Sequence, residues 1–154
     1  MKNNKAFTLI ELIVVIAILA GFVALLFPNF MEVRMKARDV QRKNDIKSLQ
    51  KALELYKQNQ TLPVYPAALP STCGTLSDAS VVYMQKIPQE PLTRCGVDAK
   101  NYYYVRNVAD NGRYTLAACL EITNDPTAVN CPADFLANTT FTCTGNKCYQ
   151  LSEP

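Results

Sequence analysis

Two sets of residues in this 154-residue chain have the type and spacing to do chemistry. The first is a lone carboxylate, Glu11, inside the otherwise uncharged run from Ala6 to Gly21 of KAFTLIELIVVIAILAG. A charge at the centre of a membrane helix costs about 2.5–3.5 kcal/mol on insertion scales, so intramembrane carboxylates usually have a partner. Two readings stand. Either Glu11 lies near the cytoplasmic surface, where it reaches the headgroups or takes up a proton, or it waits for a positive group on another subunit. The second set is six cysteines, Cys73, Cys95, Cys119, Cys131, Cys143 and Cys148. An even number in a small, turn-rich segment without histidine predicts disulfides formed in an oxidising compartment. A structural zinc site would need close pairs such as C-x-x-C, and the tightest pair, Cys143 and Cys148, has four residues between its members. The chain has no histidine, no glycine-rich phosphate loop and no Ser or Cys nucleophile with an evident base. Asp98, Asp110, Asp125 and Asp134 scatter over predicted loops, and no enzyme is expected.

The elements that must hold these groups divide the chain into unlike parts. Residues 1–60 carry 10 basic and 5 acidic side chains, residues 61–154 carry 6 and 8, and eight of nine prolines lie in the second part. From Phe7 to Phe27 Glu11 is the only charge among 21 residues. As a helix this run would be about 31 Å long, enough to cross a bilayer. A secretory signal peptide is the rival, since Lys2 and Lys5 supply a positive start, but no small-x-small cleavage site follows near Phe27-Pro28-Asn29. Basic residues flank the run on both sides, so the cysteines decide its orientation: the C-terminal part lies outside the cytoplasm.

The run KAFTLIELIVVIAILAG with its short basic leader resembles the N-terminus of type IV pilins and of the pseudopilins of type II secretion. The long helix and Cys-rich domain predicted after it fit that layout. The resemblance implies that a prepilin peptidase in the membrane cleaves before a Phe and methylates the new amine. It also implies that the carboxylate pairs with the amine of a neighbouring subunit. Carried over, the junction is Ala6 to Phe7, residues 1–6 are the leader, Phe7 is the N-methylated terminus and Glu11 is the assembly carboxylate. Family members usually have Gly before the cleaved bond. Ala6 adds a Cβ and loses backbone freedom, and processing is expected to survive it. In similar pilins the helix between positions such as Gly21 and Pro28 can lose helicity in the filament; from their chemistry alone both residues punctuate a helix. The implied partners are copies of the chain, the inner membrane, the prepilin peptidase, an assembly platform and an ATPase. Some pseudopilins hold calcium in a C-terminal loop, and EITNDP, Glu121 to Pro126, offers oxygens for one; otherwise no cofactor is expected.

The expected fold is α+β: a long N-terminal helix, its first half (7–28) spanning the membrane, packed on a small antiparallel sheet in a disulfide-stapled head. Residues 29–60 form an amphipathic helix with apolar positions at Phe30, Val33, Ala37 and Val40, then at Ile46, Leu49, Leu53 and Tyr56. The phase slips near Asn44, so the first stripe is expected to meet neighbouring subunits and the second its own head. Glu32 to Lys36 and Asp39 to Lys43 have the i, i+4 order that supports an exposed helix. The basic excess from Arg34 to Lys51 has the charge to bind DNA or anionic lipid, but it wraps around the helix, which favours a solvated or interchain-paired surface.

In the Cys-rich head, 61–154, QTLPVYPAALPSTCG reads as an irregular connection. TLSDASVVYMQKIP reads as a short helix capped by Ser77 or Asp78. NYYYVRNV and GRYTLAACLEI read as a hairpin around Asp110-Asn111-Gly112, with Tyr114, Leu116, Ala118, Leu120 and Ile122 toward the helix and Cys119 and Glu121 away from it. FTCTGNKCYQL reads as a further strand pair about a Thr-Gly-Asn-Lys turn. Six cysteines allow fifteen pairings. Local bonds are expected: Cys73–Cys95, Cys119–Cys131 and Cys143–Cys148. Tyr102 to Tyr104 are expected to alternate in a strand, and Asn138-Thr139-Thr140 matches a glycosylation sequon.

The function expected from the resemblance is that of a non-enzymatic pilin, stored in the inner membrane and polymerised after leader cleavage. The head-rich disulfides favour a pilus fibre, while IPQEP before the sheet resembles the pseudopilin pattern. A rival of another class is a membrane-anchored module that binds sugar or DNA and never polymerises.

Overall fold

The computed structural model describes residues 7–71, 73–95, 100–137 and 143–153, with backbone alone for 26–29, 136, 137 and 144. The leader residues with Ala6, Asp98, Phe141, Thr142, the sequon and the side chain of Pro28 lie outside the described residues. The chain forms a long helix α1 (Leu9–Asn59), strands β1 (Leu76–Ser77), β2 (Val82–Met84), β3 (Tyr103–Arg106), β4 (Tyr114–Cys119) and β5 (Val129–Asn130), a short helix α2 (Ala133–Ala137) and strand β6 (Lys147–Ser152). It divides into two compact units, 1–35 and 36–154.

In the first unit α1 starts after Thr8, and its apolar side chains have no protein cover: Phe7, Leu9 and Ile10 are 80%, 75% and 70% exposed, and Val15, the least exposed of the large apolar side chains up to Leu25, is still 47% exposed. The backbone is helical through Gly21 and Pro28. No single helix among the described residues is long and apolar enough to cross a membrane; Leu9–Leu25 and Phe30–Asn59 pass that test only together, by length and composition.

In the second unit the helix buries Ile46, Leu49, Ala52 and Leu53, spaced three or four residues apart. They pack with Tyr65, Leu76, Ile87, Tyr102, Tyr114, Leu116 and Ala118 into the main core. Val40 is exposed, as are Ala37 and, in the first unit, Phe30 and Val33. The four-stranded antiparallel sheet has the order β3-β4-β6-β5. Strand alternation sends Tyr114, Leu116 and Ala118 to the helix side, while Ala117 and Cys119 join Tyr103, Cys148 and Phe135 of α2 on the other. Tyr102 and Tyr104 belong to the helix-side core and Tyr103 to the opposite one, so the three tyrosines alternate as expected.

Four local expectations fail. Residues 75–88 form no helix: β1 and β2 pair as a hairpin, and the Asp78 carboxylate accepts the N–H groups of Ser80 and Val81 at 2.9 Å each. Asp78 therefore closes a turn, and Val82 and Tyr83 follow their strand preference. β6 pairs with β4 and β5, and Cys148 has Cys119 and Val129 as its strand partners rather than Cys143, across a turn where Gly145 and Asn146 both have positive φ, 64° and 53°. Glu121 does not point away with Cys119: β4 ends at Cys119, and Glu121 turns back to the helix.

The fourth failure is in the disulfides. Cys73 joins Cys95, as expected, but Cys119 joins Cys143 and Cys131 joins Cys148. The sheet order gives the reason. β6 stands between β4 and β5, so it separates Cys119 from the strand that leads into Cys131. Cys148 lies opposite Cys119 on one side and Val129 on the other, and each of the two central bonds reaches from the sheet to a flanking segment.

Candidate functional site

The lone anion of the apolar run sits in the first turn of α1 and is held there by the chain itself. Thr8 donates its backbone N–H and its hydroxyl to one Glu11 oxygen, at 2.9 and 2.7 Å, while Glu11 N–H reaches back to the Thr8 hydroxyl at 3.3 Å. This reciprocal arrangement is a capping box, and it satisfies helix N–H groups that have no partner within the helix. It also places the carboxylate at the positive end of the helix dipole. Thr8 is not among the site residues expected from the sequence, although Thr8-Leu9-Ile10-Glu11 has the T-x-x-E spacing that signals such a cap. Phe7 precedes the capping Thr8 and is non-helical. Around this cap Leu9, Ile10, Leu12 and Ile13 are exposed, so the site is an anion ringed by uncovered apolar surface.

A second constellation lies in the head unit, where α1 meets the loops at the ends of the sheet. Arg42 is 3% exposed and binds three acids: Asp39 at 2.6 Å, Glu121 at 2.7 Å and Glu90 through two of its nitrogens. Asp39, equally buried, accepts the backbone N–H groups of Glu121 and Ile122 at 3.0 and 2.9 Å. Arg38 grips Glu121 with two nitrogens, and Lys43 meets Asp125 at 2.6 Å. Burial acts to lower the pKa of the Arg42 guanidinium, but its hydrogen bonds and charge pairing with Glu90, Glu121 and Asp39 leave it raised. The Arg38 hydrogen bond leads in lowering the Glu121 carboxyl, and Lys43 with Thr127 lowers Asp125 to about 2. Asp45 is raised by burial, against a hydrogen bond from Tyr102. The expected Asp39–Lys43 pair along the helix is thus replaced by contacts to the head.

This constellation answers two other expectations. Arg38, Arg42 and Lys43 are committed to internal acids, which leaves a smaller basic surface than the sequence suggests. In EITNDP the side-chain oxygens of Glu121 and Asp125 already face cations of the chain, so the loop does not fit a calcium ion. Among the described residues the sole group of three metal-ligand side chains is Cys119, Cys143 and Cys148, and all of these sulfurs are in disulfides. A zinc site needs thiolates.

The pattern described as the prokaryotic N-terminal methylation motif matches residues 1–27. The chain is 30% identical over 124 residues to type II secretion system core protein G of Escherichia coli K12, a match covering 74% of this chain and 79% of the relative. It belongs to the type IV pilin and pseudopilin family. Two further relatives of this pilin-family chain point in different directions. Core protein G of Pectobacterium carotovorum is 32% identical over 100 residues, and the type IV wide pilus major component PilA4 of Thermus thermophilus is 37% identical over 84. These matches cover 58% and 54% of the chain, and it spans less than two thirds of either relative, 62% and 64%. No solved structure matches significantly. The family is structural and non-enzymatic. The N-terminal apolar helix is consistent with anchoring in the inner membrane before assembly.

Proposed function

We propose that the chain is a pilin: it is cleaved between Ala6 and Phe7, methylated on Phe7, stored in the inner membrane through residues 7–28, and polymerised into a type IV pilus-like fibre. The observation that carries this reading is the uncovered apolar surface of residues 7–25 around one capped carboxylate. At about 25 cal/mol per Å² that surface is strongly driven out of water, and a monomer offers it no cover. Lipid covers it before assembly and other copies cover it afterwards. In the fibre Glu11 pairs with the Phe7 amine of a neighbour; until then Thr8 holds it. Exposed Phe30 and Val33 in the first unit, and Ala37 and Val40 in the second, extend the contact with neighbouring subunits, and Gly21 and Pro28 mark where the helix gives. An assembly platform and an ATPase drive the process.

The pairing is tested by Glu11→Ala. Membrane insertion should persist and filaments should vanish; wild-type polymer yield would refute it. The second reading, a pseudopilin of type II secretion, is favoured by the core protein G relatives and by IPQEP. Electron microscopy separates the two: long extracellular fibres support the pilin, and short periplasmic ones the pseudopilin.

A further inference from the structure

The two central disulfides of the head are interleaved. In chain order the four cysteines are 119, 131, 143 and 148, and the bonds run from first to third and from second to fourth. A chain that reaches an oxidising compartment from its N-terminal side exposes them in sequence, so the first bonds it can form are Cys119–Cys131 and Cys143–Cys148. Loop closure favours those bonds as well. The native bonds close separations of 24 and 17 residues. The consecutive ones close 12 and 5, which chain entropy alone favours by about 3-fold and about 6-fold. The consecutive set is also incompatible with the sheet, because β6 must lie between β4 and β5, and Cys119–Cys131 would tie those two elements together before β6 arrives.

We infer that the head reaches its native pairing through disulfide exchange with a partner that carries a reactive thiolate, a thiol–disulfide isomerase, acting on the consecutive pairs. The folded geometry brings the required sulfurs together. The sulfurs of Cys119, Cys143 and Cys148 all lie within 4.8 Å of one another, and Cys143 and Cys148, which are not bonded to each other, are 3.8 Å apart. The partner's thiolate attacks Cys148 in the Cys143–Cys148 bond, forming a mixed disulfide and leaving the electron pair on Cys143. The Cys143 thiolate attacks Cys119, breaks Cys119–Cys131 and frees the Cys131 thiolate. Cys131 then attacks Cys148, closes the second native bond and returns the partner's thiolate. Two disulfides exist before and after, so no oxidant is consumed. Once the sheet closes, Cys148 is fully buried and Cys131 and Cys143 nearly so, which shields the native bonds from further exchange.

The test is oxidative refolding of the reduced, full-length chain in detergent micelles, with peptide mapping under non-reducing conditions. With a thiol-free oxidant, diamide, most chains should carry Cys143–Cys148 and Cys119–Cys131. Adding reduced glutathione with protein disulfide isomerase should convert them to the interleaved set at least 10-fold faster than glutathione alone. Interleaved bonds formed in full yield by diamide, or no acceleration by the isomerase, would overturn the proposal. A Cys119→Ala, Cys131→Ala variant isolates the trap and needs no folding to report: it should form Cys143–Cys148 rapidly, and persistent free thiols there would equally overturn the inference.

Discussion

Arg42 ties its helix to Glu90 and Glu121 of the head, and Arg42→Met tests the weight of that contact quantitatively. Methionine keeps the length and apolar stem but removes the guanidinium. Asp39 then keeps only the two backbone N–H groups of Glu121 and Ile122, while Glu90 loses its charge partner and Glu121 retains Arg38. Breaking a buried ion pair by removing one partner costs about 3–5 kcal/mol, because the remaining charge stays desolvated. The remaining hydrogen bonds of Asp39 and Glu121 place the expected loss at the lower end, about 3 kcal/mol. For a folded unit of this size 1 kcal/mol corresponds to about 3–6 °C in Tm, so the variant should melt about 9–18 °C below the parent. The control is Arg113→Ala. Arg113 and Asp110 form a pair of similar sequence spacing at 3.4 Å, but both side chains are more than half exposed, and its loss should cost under about 1 kcal/mol. The assay is thermal unfolding of the full chain in micelles, followed by circular dichroism in the near ultraviolet. An Arg42→Met variant that melts within 3 °C of the parent, or no lower than Arg113→Ala, would refute the reasoning.

Acid should loosen the head. Glu121 and Asp125 have lowered pKa values in the fold, so the stability they contribute is present above the unfolded carboxylate range and lost as pH falls toward about 2 for Asp125. Tm should fall between pH 5 and pH 2.5, and Lys43→Met should flatten the part of that slope due to Asp125; an equal slope in the variant counts against the assignment. Asp45, raised by burial, acts in the opposite sense and regains stability as it protonates. Gly145→Ala should lower stability by about 1–2 kcal/mol in urea unfolding, since Gly145 has φ +64° and an added Cβ would lie 2.7 Å from a Thr123 methyl carbon. Replacing Cys119 and Cys143 together by serine should cost about 2–4 kcal/mol in the same assay, with the Cys131–Cys148 and Cys73–Cys95 bonds intact by mapping.

What the sequence revealed and what it hid follow the range of the interactions. The stripe Ile46, Leu49, Leu53 and Tyr56 was legible because helical periodicity is local, and so was the β3–β4 hairpin around Asp110-Asn111-Gly112. The registers that place Cys148 beside both Cys119 and Val129 depend on β6 entering between strands far earlier in the chain, and no local pattern announces this. Tyr65 was hidden for the same reason. It lies in a proline-rich connection that reads as surface, yet it is fully buried against Tyr114, with its hydroxyl donating to Glu54 at 2.8 Å. Arg42 and Asp39 read as part of a solvated helix face, because a charged residue declares no burial until its partners, Glu90 and Glu121, are brought to it from 48 and 79 residues away. At the N-terminus the sequence singled out Glu11 but not Thr8; the cap is local and its T-x-x-E signal was available.

The most direct measurement on the account as a whole is the intact mass of the subunit recovered from purified native polymer, with fragmentation from its N-terminus. The account predicts a chain that starts at Phe7 and carries one methyl group on its amine. A polymer whose subunits still begin at Met1 or Lys2 would contradict it, since the Phe7 nitrogen would then be a neutral peptide amide and not an ammonium able to pair with Glu11 of the adjoining copy.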